Sequence, residues 1–255
     1  MPRRDSGPAA EQRLFLAHAP ERGRAELHPD DLDHALRVLR LEAGDEVIGL
    51  DGAGRAWRMR VASVERRAVV LAGAEVAAEA PRPGSGGGAP PAVKLCVALP
   101  KPAPAEEMFD RLVQLGLDTL VPLIAERSGP HARELSPHRR ERLERIAREA
   151  LKQSGRLWLP RIAAPEGLGE VLGRGLPQET AFLDPGASAS FLEWSSKAVE
   201  AHEPALFVGP EGGWTDAERE ALVRAGATPC RLARAILRIE TAAEAALAVL
   251  AAVDV

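Results

Sequence analysis

The sequence predicts an α/β domain preceded by a small, mostly β domain, and three observations carry that reading. A stretch of proline and glycine, Pro81-Arg-Pro-Gly-Ser-Gly-Gly-Gly-Ala-Pro-Pro91, interrupts the chain with too little apolar side chain to pack. After it, apolar runs suited to buried strands alternate with amphipathic helical patterns. Near the C-terminus, two short glycine- or alanine-bearing loops leave what read as adjacent strand ends, where open α/β sheets hold ligands. We therefore divide the chain into a β domain at 13–79, a linker at 80–91 and an α/β domain at 92–255.

Composition excludes several classes. The 255 residues carry 45% apolar and 27% charged side chains, ordinary for a globular chain, with no run of membrane-spanning length. Residues 1–12 are polar and read as a loose tail, not a signal peptide. Cys96 and Cys230 each sit in an apolar run and read as reduced core residues of a cytoplasmic protein. The six histidines lack metal-ligand spacing, so no metal is expected. A net charge of −4 argues against a surface basic all over, while leaving room for a local RNA-binding patch. Of the 33 basic residues four are lysines (94, 101, 152 and 197); the arginine excess matches the abundance of alanine, glycine and proline.

In the first domain, Arg13 to Ala17 reads as a strand. Leu32, Ala35, Leu36 and Leu39 fall at helical spacing behind Pro29-Asp30, giving a short helix that ends near Arg40. Strand Glu46–Leu50 runs into Asp51-Gly52-Ala53-Gly54, a hairpin turn. Beyond it Trp57, Met59 and Val61 alternate with Arg58 and Arg60, which suits a strand with a solvated outer face, and Val69–Val76 supplies another.

In the second domain Val93–Leu99 is a buried strand. Pro104 fits the first turn of a helix bearing Met108, Leu112 and Leu115 and stopping at Gly116. Leu120–Ile124 is a strand, and Ser136-Pro137 opens a long helix with Leu143, Ile146, Ala147, Ala150 and Leu151 on one face. Its other face alternates Arg139, Arg140, Arg142, Arg145 and Arg148 with glutamates, which reads as salt-laced and solvated. Lys152-Gln-Ser-Gly-Arg156 breaks that helix. Within 165–204 only Ala181–Asp184 reads as an element.

Ala205-Leu-Phe-Val208 is a buried strand that enters Gly209-Pro-Glu-Gly-Gly213. Those glycines either let a ligand approach the backbone or simply make a tight turn. Thr215 and Glu218 have capping-box spacing, so a helix starts at Asp216 and stops near Gly226. Thr228–Leu232 then reads as a strand, Ala233–Ile239 as a loop and Glu240 onward as an alanine-rich helix. Neither G-x-G-x-x-G nor a Gly-Lys-Ser/Thr signature is present.

Phe207-Val-Gly-Pro-Glu-Gly-Gly-Trp, followed by Leu232-Ala-Arg-Ala-Ile-Leu-Arg-Ile-Glu-Thr-Ala, resembles the SPOUT methyltransferases. Within them it is most similar to the RsmE family, which methylates uridine N3 of 16S ribosomal RNA with S-adenosylmethionine. His34, Val38-Leu-Arg40, Gly44-Asp45 and Asp51-Gly52 resemble that family's PUA-like N-terminal barrel. The resemblance implies an α/β fold: a trefoil-knotted SPOUT methyltransferase domain preceded by a small PUA-like β-barrel domain. It implies cofactor contacts from the backbone of Phe207, Val208, Gly209, Pro210, Glu211, Gly212 and Gly213 and of Leu232, Ala233, Ile236 and Leu237. It also implies a homodimer built around the knot, its site drawing residues from both subunits. The apolar segment 242–253 and the helix bearing Met108 and Leu112 are the expected interface. The chain departs from the family pattern at Ala233, where glycine is usual, at Ala235, where arginine is usual, and at Ile239.

Methylating uracil N3 requires removing a proton and stabilising charge that spreads onto O2 and O4, which calls for cationic donors. Arg238, just before the last helix, is the first candidate. Lys101 and Arg156, the latter in the family's Gln-Ser-x-Arg motif, are candidates to hold the uridine or its phosphates. Glu240 is either a base or a charge complementing the helix dipole. Alternatives are SPOUT chemistry on another RNA, such as tRNA or 23S rRNA, and a non-catalytic RNA-binding assembly factor.

Overall fold

The structure, a computed structural model, describes residues 12–254. The polar tail expected at 1–12 therefore lies, apart from Gln12, outside the described residues. The chain divides into two compact units, Met1–Ala80 and Pro81–Val255.

The first unit holds β1 (Arg13–Phe15), β2 (Arg24–Glu26), α1 (Pro29–Asp33), β3 (Glu46–Leu50), β4 (Arg55–Glu65) and β5 (Ala68–Glu79). The strands run β1-β3-β4-β5-β2, and a Leu16–Leu27 bridge joins the two edges, as in a closed barrel. Alternation decides the core: Met59 and Val61 are 1% and 2% exposed, whereas Arg58 and Arg60 face outward and Arg60 pairs with Glu46 at 2.6 Å. The hairpin after β3 is tied by Asp51 Oδ1, which accepts from the Ala53 and Arg55 amides at 2.8 and 3.0 Å. Arg40 ends the helical stretch with φ +53°, and buried Asp31 accepts from the Phe15 amide at 2.6 Å, fastening α1 to the barrel. β2 escapes sequence reading because only Ala25, between two charged residues, points inward.

The second unit contains β6 (Val93–Val97), α2 (Pro102–Gln114), β7 (Leu117–Ile124), α3 (Pro137–Ser154), β8 (Arg161–Ile162), β9 (Glu166–Gly167) and α4 (Leu168–Gly173). It continues through β10 (Thr180–Leu183), α5 (Phe191–Ala198), β11 (Ala205–Val208), α6 (Asp216–Arg224), β12 (Thr228–Cys230) and α7 (Ile239–Val253). The parallel sheet runs β12-β10-β11-β6-β7-β8, with β9 also on β7. Cys96, Phe182 and Phe207 pack against Leu168, Val171 and Leu222 of α4 and α6. α2 packs on α3 and α7, and α5 on α7. β11 and β12 are not neighbours, contrary to the sequence reading, because β10 lies between them.

Helix ends follow their caps. Ser136 Oγ accepts from the Arg139 amide at 3.3 Å, and Gly155 stops α3 with φ +76°. Thr215 and Glu218 form the capping box of α6, and Glu218 also accepts from the Glu126 amide at 2.7 Å. The arginine face of α3 is less solvated than expected. Arg139 donates to the carbonyls of His131 (2.9 Å) and Pro100 (3.3 Å), and Arg140 to those of Ile162 (2.7 Å) and Ala163 (3.2 Å). A guanidinium carries five N–H donors, so each side chain satisfies two carbonyls at once. The Pro/Gly stretch is folded into turns, with Gly84 N–H on the Pro90 carbonyl at 2.8 Å and Ala92 N–H on the His202 carbonyl at 2.8 Å. Among the described residues no helix is long and apolar enough to cross a membrane.

Candidate functional site

Parallel strands aim their carboxyl ends at one edge of the sheet, and a cleft of about 540 Å³ opens there. That volume suits a small organic ligand. Three loops wall it: Leu183–Pro185 after β10, Val208–Trp214 after β11, and Leu232–Arg238 after β12, joined by Pro100, Lys101 and Pro104 from the exit of β6. Of the residues singled out by sequence, Lys101, Val208, Gly209, Pro210, Glu211, Gly213, Leu232, Ala233, Ile236, Leu237 and Arg238 line it.

Three do not. Phe207 is 0% exposed and points into the core, so only its backbone is near the loop. Gly212 lies beneath Arg127, whose guanidinium donates to the Gly212 carbonyl at 2.9 Å. Arg156 is at the opposite edge of the sheet, over Gly116 and the start of β7, with Asp118 and Asp254 as its nearby carboxylates. Burial lowers its pKa, and its Nε is buried without a partner.

The glycine loop is built on Trp214. That indole is 2% exposed, donates to the Leu183 carbonyl at 3.0 Å and meets Phe182 edge-on at 6.3 Å. It fills the space where a Cβ on Gly209 would stand, 2.8 Å from indole Cε2. Gly209 thus makes room for a side chain of its own loop, a role its motif did not reveal. Gly213 instead has φ +66° and gives its N–H to the Pro210 carbonyl at 2.8 Å, closing a tight turn. Gly209→Ala is expected to lower the unfolding free energy by about 1–3 kcal/mol through overpacking. Thermal melts check this; an unchanged midpoint would mean that Trp214 has room to move.

The Leu183–Pro185 wall was missed by sequence reasoning, although its strand was found. Asp184 is clamped there: its Oδ2 accepts from Arg219 Nε at 2.9 Å and its Oδ1 from the Gly186 amide at 2.9 Å. The signal available was the Asp184-Pro185-Gly186 turn at a strand end. Arg219 is braced in turn by Asp216 at 2.9 Å. Arg238 sits at the N-cap of α7, and its carbonyl accepts from the Ala242 amide at 2.8 Å. Among the described residues the side chains of Arg238 and Lys101 make no ion pair, so both cations remain available at the rim. Glu240, Ala235 and Ile239 also face the cleft.

Neither cysteine can serve as a nucleophile. Burial pushes the Cys96 thiol up to about 12 and the Cys230 thiol up to about 11, so both are protonated at neutral pH. Among the described residues no cluster of histidine, cysteine or carboxylate side chains could hold a metal ion.

Comparison with known proteins gives concordant matches. The RNA methyltransferase domain family matches residues 88–251, and the RNA methyltransferase PUA domain family matches residues 28–72. Ribosomal RNA small subunit methyltransferase E of Synechocystis sp. is 34% identical over 221 residues, covering 85% of this chain and 69% of the relative. The Bacillus subtilis protein of that name is 27% identical, covering 84% of each chain. A methyltransferase from Legionella pneumophila, solved with bound SAM, superposes with TM-score 0.82 at 25% identity, covering 95% of this chain and 98% of the other. Ribosomal RNA small subunit methyltransferase E from Neisseria gonorrhoeae, bound to S-adenosyl methionine, superposes with TM-score 0.76 at 26% identity, covering 94% and 96%.

Proposed function

Because the chain belongs to the ribosomal RNA small subunit methyltransferase E family, we propose that it methylates N3 of a uridine in 16S ribosomal RNA, using S-adenosylmethionine as the methyl donor. The observation that carries this reading is the three-loop cleft at the carboxyl ends of the sheet, with unpaired Arg238 at its rim. The residues fit the cofactor. Val208, Leu232, Ile236 and Leu237 offer apolar walls to an adenine, and Glu211 and Glu240 offer carboxylates to an ammonium and a sulfonium. When bound, S-adenosylmethionine supplies an electrophilic methyl group on sulfur. In this reading the loops at 207–213 and 232–237 form the trefoil knot of the family.

Loss of the N3 proton to solvent or to Glu240, which faces the cleft, leaves negative charge shared between N3, O2 and O4 of the uracil. Arg238 donates to that charge as it develops, which is where a fixed cation contributes most. Lys101, across the cleft, holds a backbone phosphate. The domain at 13–79 supplies RNA affinity from its outer face, which carries Arg58 and Arg60, and residues 80–91 join it to the catalytic domain at 92–255. The protein works in the cytoplasm, where ribosomal RNA is.

Calorimetry with S-adenosylmethionine on chelator-treated protein tests the reading. Saturable binding without added metal is expected; absence of binding, or a need for metal, would remove it.

The working unit in this proposal is a homodimer. Arg156 lies far from its own chain's cleft, so any contact it makes with uridine comes from a second copy. Met108 and Leu112, expected at the interface, are both 0% exposed within one chain and pack inside it. The outward face of α7, with exposed Ala248 and Ala252, takes their place. Ala246 is also 0% exposed, so a charge there would disturb the core. Ala248→Glu is therefore the clean test: light scattering is expected to show folded monomers without methyltransferase activity, and fully active monomers would contradict the shared site.

A further inference from the structure

We propose that a second cleft, on the sheet face towards the amino-terminal ends of β6 and β11, binds a free or terminal phosphate group through Lys94, Arg161 and Arg174. This cleft measures about 430 Å³ and lies beside the end of α4. The methylation cleft is at the other ends of the same strands, and the two share no lining residue.

Sheet register brings the cations together. Lys94 pairs with Thr119, and Thr119 with Arg161, so Lys94 and Arg161 stand on one row with β7 between them. At about 4.8 Å per strand their backbones are roughly 10 Å apart, a span that two long side chains close onto one anion. Both side chains line the cleft, and neither makes an ion pair among the described residues. Arg174 enters from the turn after α4 and pairs with Glu166.

Three cations and one carboxylate leave two positive charges facing one small cleft. The floor does not offset them: burial pushes the Cys96 thiol up to about 12, so it stays neutral beside Lys94 and Arg174. Unbalanced cations in such a space repel, and an anion placed between them relieves that repulsion. Guanidinium forks match phosphate oxygens bidentately, while the lysine acts as a point charge. A phosphate monoester carries about −1.5 to −2 at neutral pH, which matches the surplus. A backbone phosphodiester carries only about −1 and leaves part of that surplus unmatched. The ligand is therefore free phosphate or the terminal phosphate of a nucleotide.

Calorimetric titration of the full chain with sodium phosphate and with uridine 5′-monophosphate, in dilute chloride buffer, tests this. Saturable one-to-one binding of at least one titrant is expected, and the tighter of the two identifies the source. Lys94→Ala and Arg161→Gln should each weaken it about tenfold, the usual effect of losing one charge-assisted contact. Arg161 is exposed, so Arg161→Gln carries the test by itself if Lys94→Ala fails to fold. The proposal is overturned if neither titrant saturates, or if folded variants bind as the parent does. It is equally overturned if a dephosphorylated RNA oligonucleotide, and neither titrant, loses affinity in the variants.

Discussion

Replacing Arg238 by alanine is expected to slow methyl transfer by about 10²–10³, since removing one donor to a developing oxyanion costs about 2.7–4 kcal/mol. Cofactor affinity should change little, because the apolar walls and loop backbones are untouched. The placement of Arg238 explains the size of the effect. It is the N-cap residue of α7, fixed by the first turn of a helix whose Ala243, Ala246 and Leu247 are buried, so its guanidinium starts from a rigid point. Among the described residues no carboxylate pairs with it, so its charge is not already neutralised. Single-turnover kinetics at saturating cofactor measure this directly. A rate constant near that of the parent would move the role to Lys101, the other unpaired cation at the rim.

Trp214→Ala should produce the largest loss of stability, about 3–5 kcal/mol, the usual cost of deleting a buried aromatic side chain. Three supports disappear together: the edge-on contact with Phe182, the hydrogen bond to the Leu183 carbonyl and the packing beneath Gly209. Two cleft walls, at 183–185 and 208–214, share that indole, so cofactor affinity should fall as well. Trp214→Phe separates the contributions. It keeps most of the packing but leaves the Leu183 carbonyl without its donor, at a cost of about 1–3 kcal/mol. Denaturant midpoints for both variants provide the check. Equal losses in the two would mean that the hydrogen bond, not the packing, holds the loop.

Local chemistry made the last fifty residues legible. A short apolar strand, a glycine turn and a Thr215–Glu218 capping box are all written within a few residues of one another, and each is found where its pattern puts it. Strand order was not legible. That β10 separates β11 from β12 depends on pairing between segments distant in sequence, and nothing local encodes it. The missing third wall of the cleft follows from the same gap. Residues 165–204 were mostly unreadable because β9 has two residues and α4 has six, two of them glycine, too short for a period to show. The arginines of α3 misled for another reason: a helical pattern shows which face is polar but not whether loop carbonyls cover it. Gly209 carried the right signal with the wrong cause, since its missing side chain admits Trp214.

The central claim is methylation of a uridine N3 in small-subunit RNA. Incubating the protein and S-adenosylmethionine with 16S RNA from a strain lacking the enzyme, then mapping reverse-transcription stops, tests it most directly, because an N3 methyl blocks the pairing edge. A single cofactor-dependent stop at one uridine, absent with Arg238→Ala, is the expected result. Absence of any stop, or methyl transfer confined to ribose or to another RNA, would contradict it.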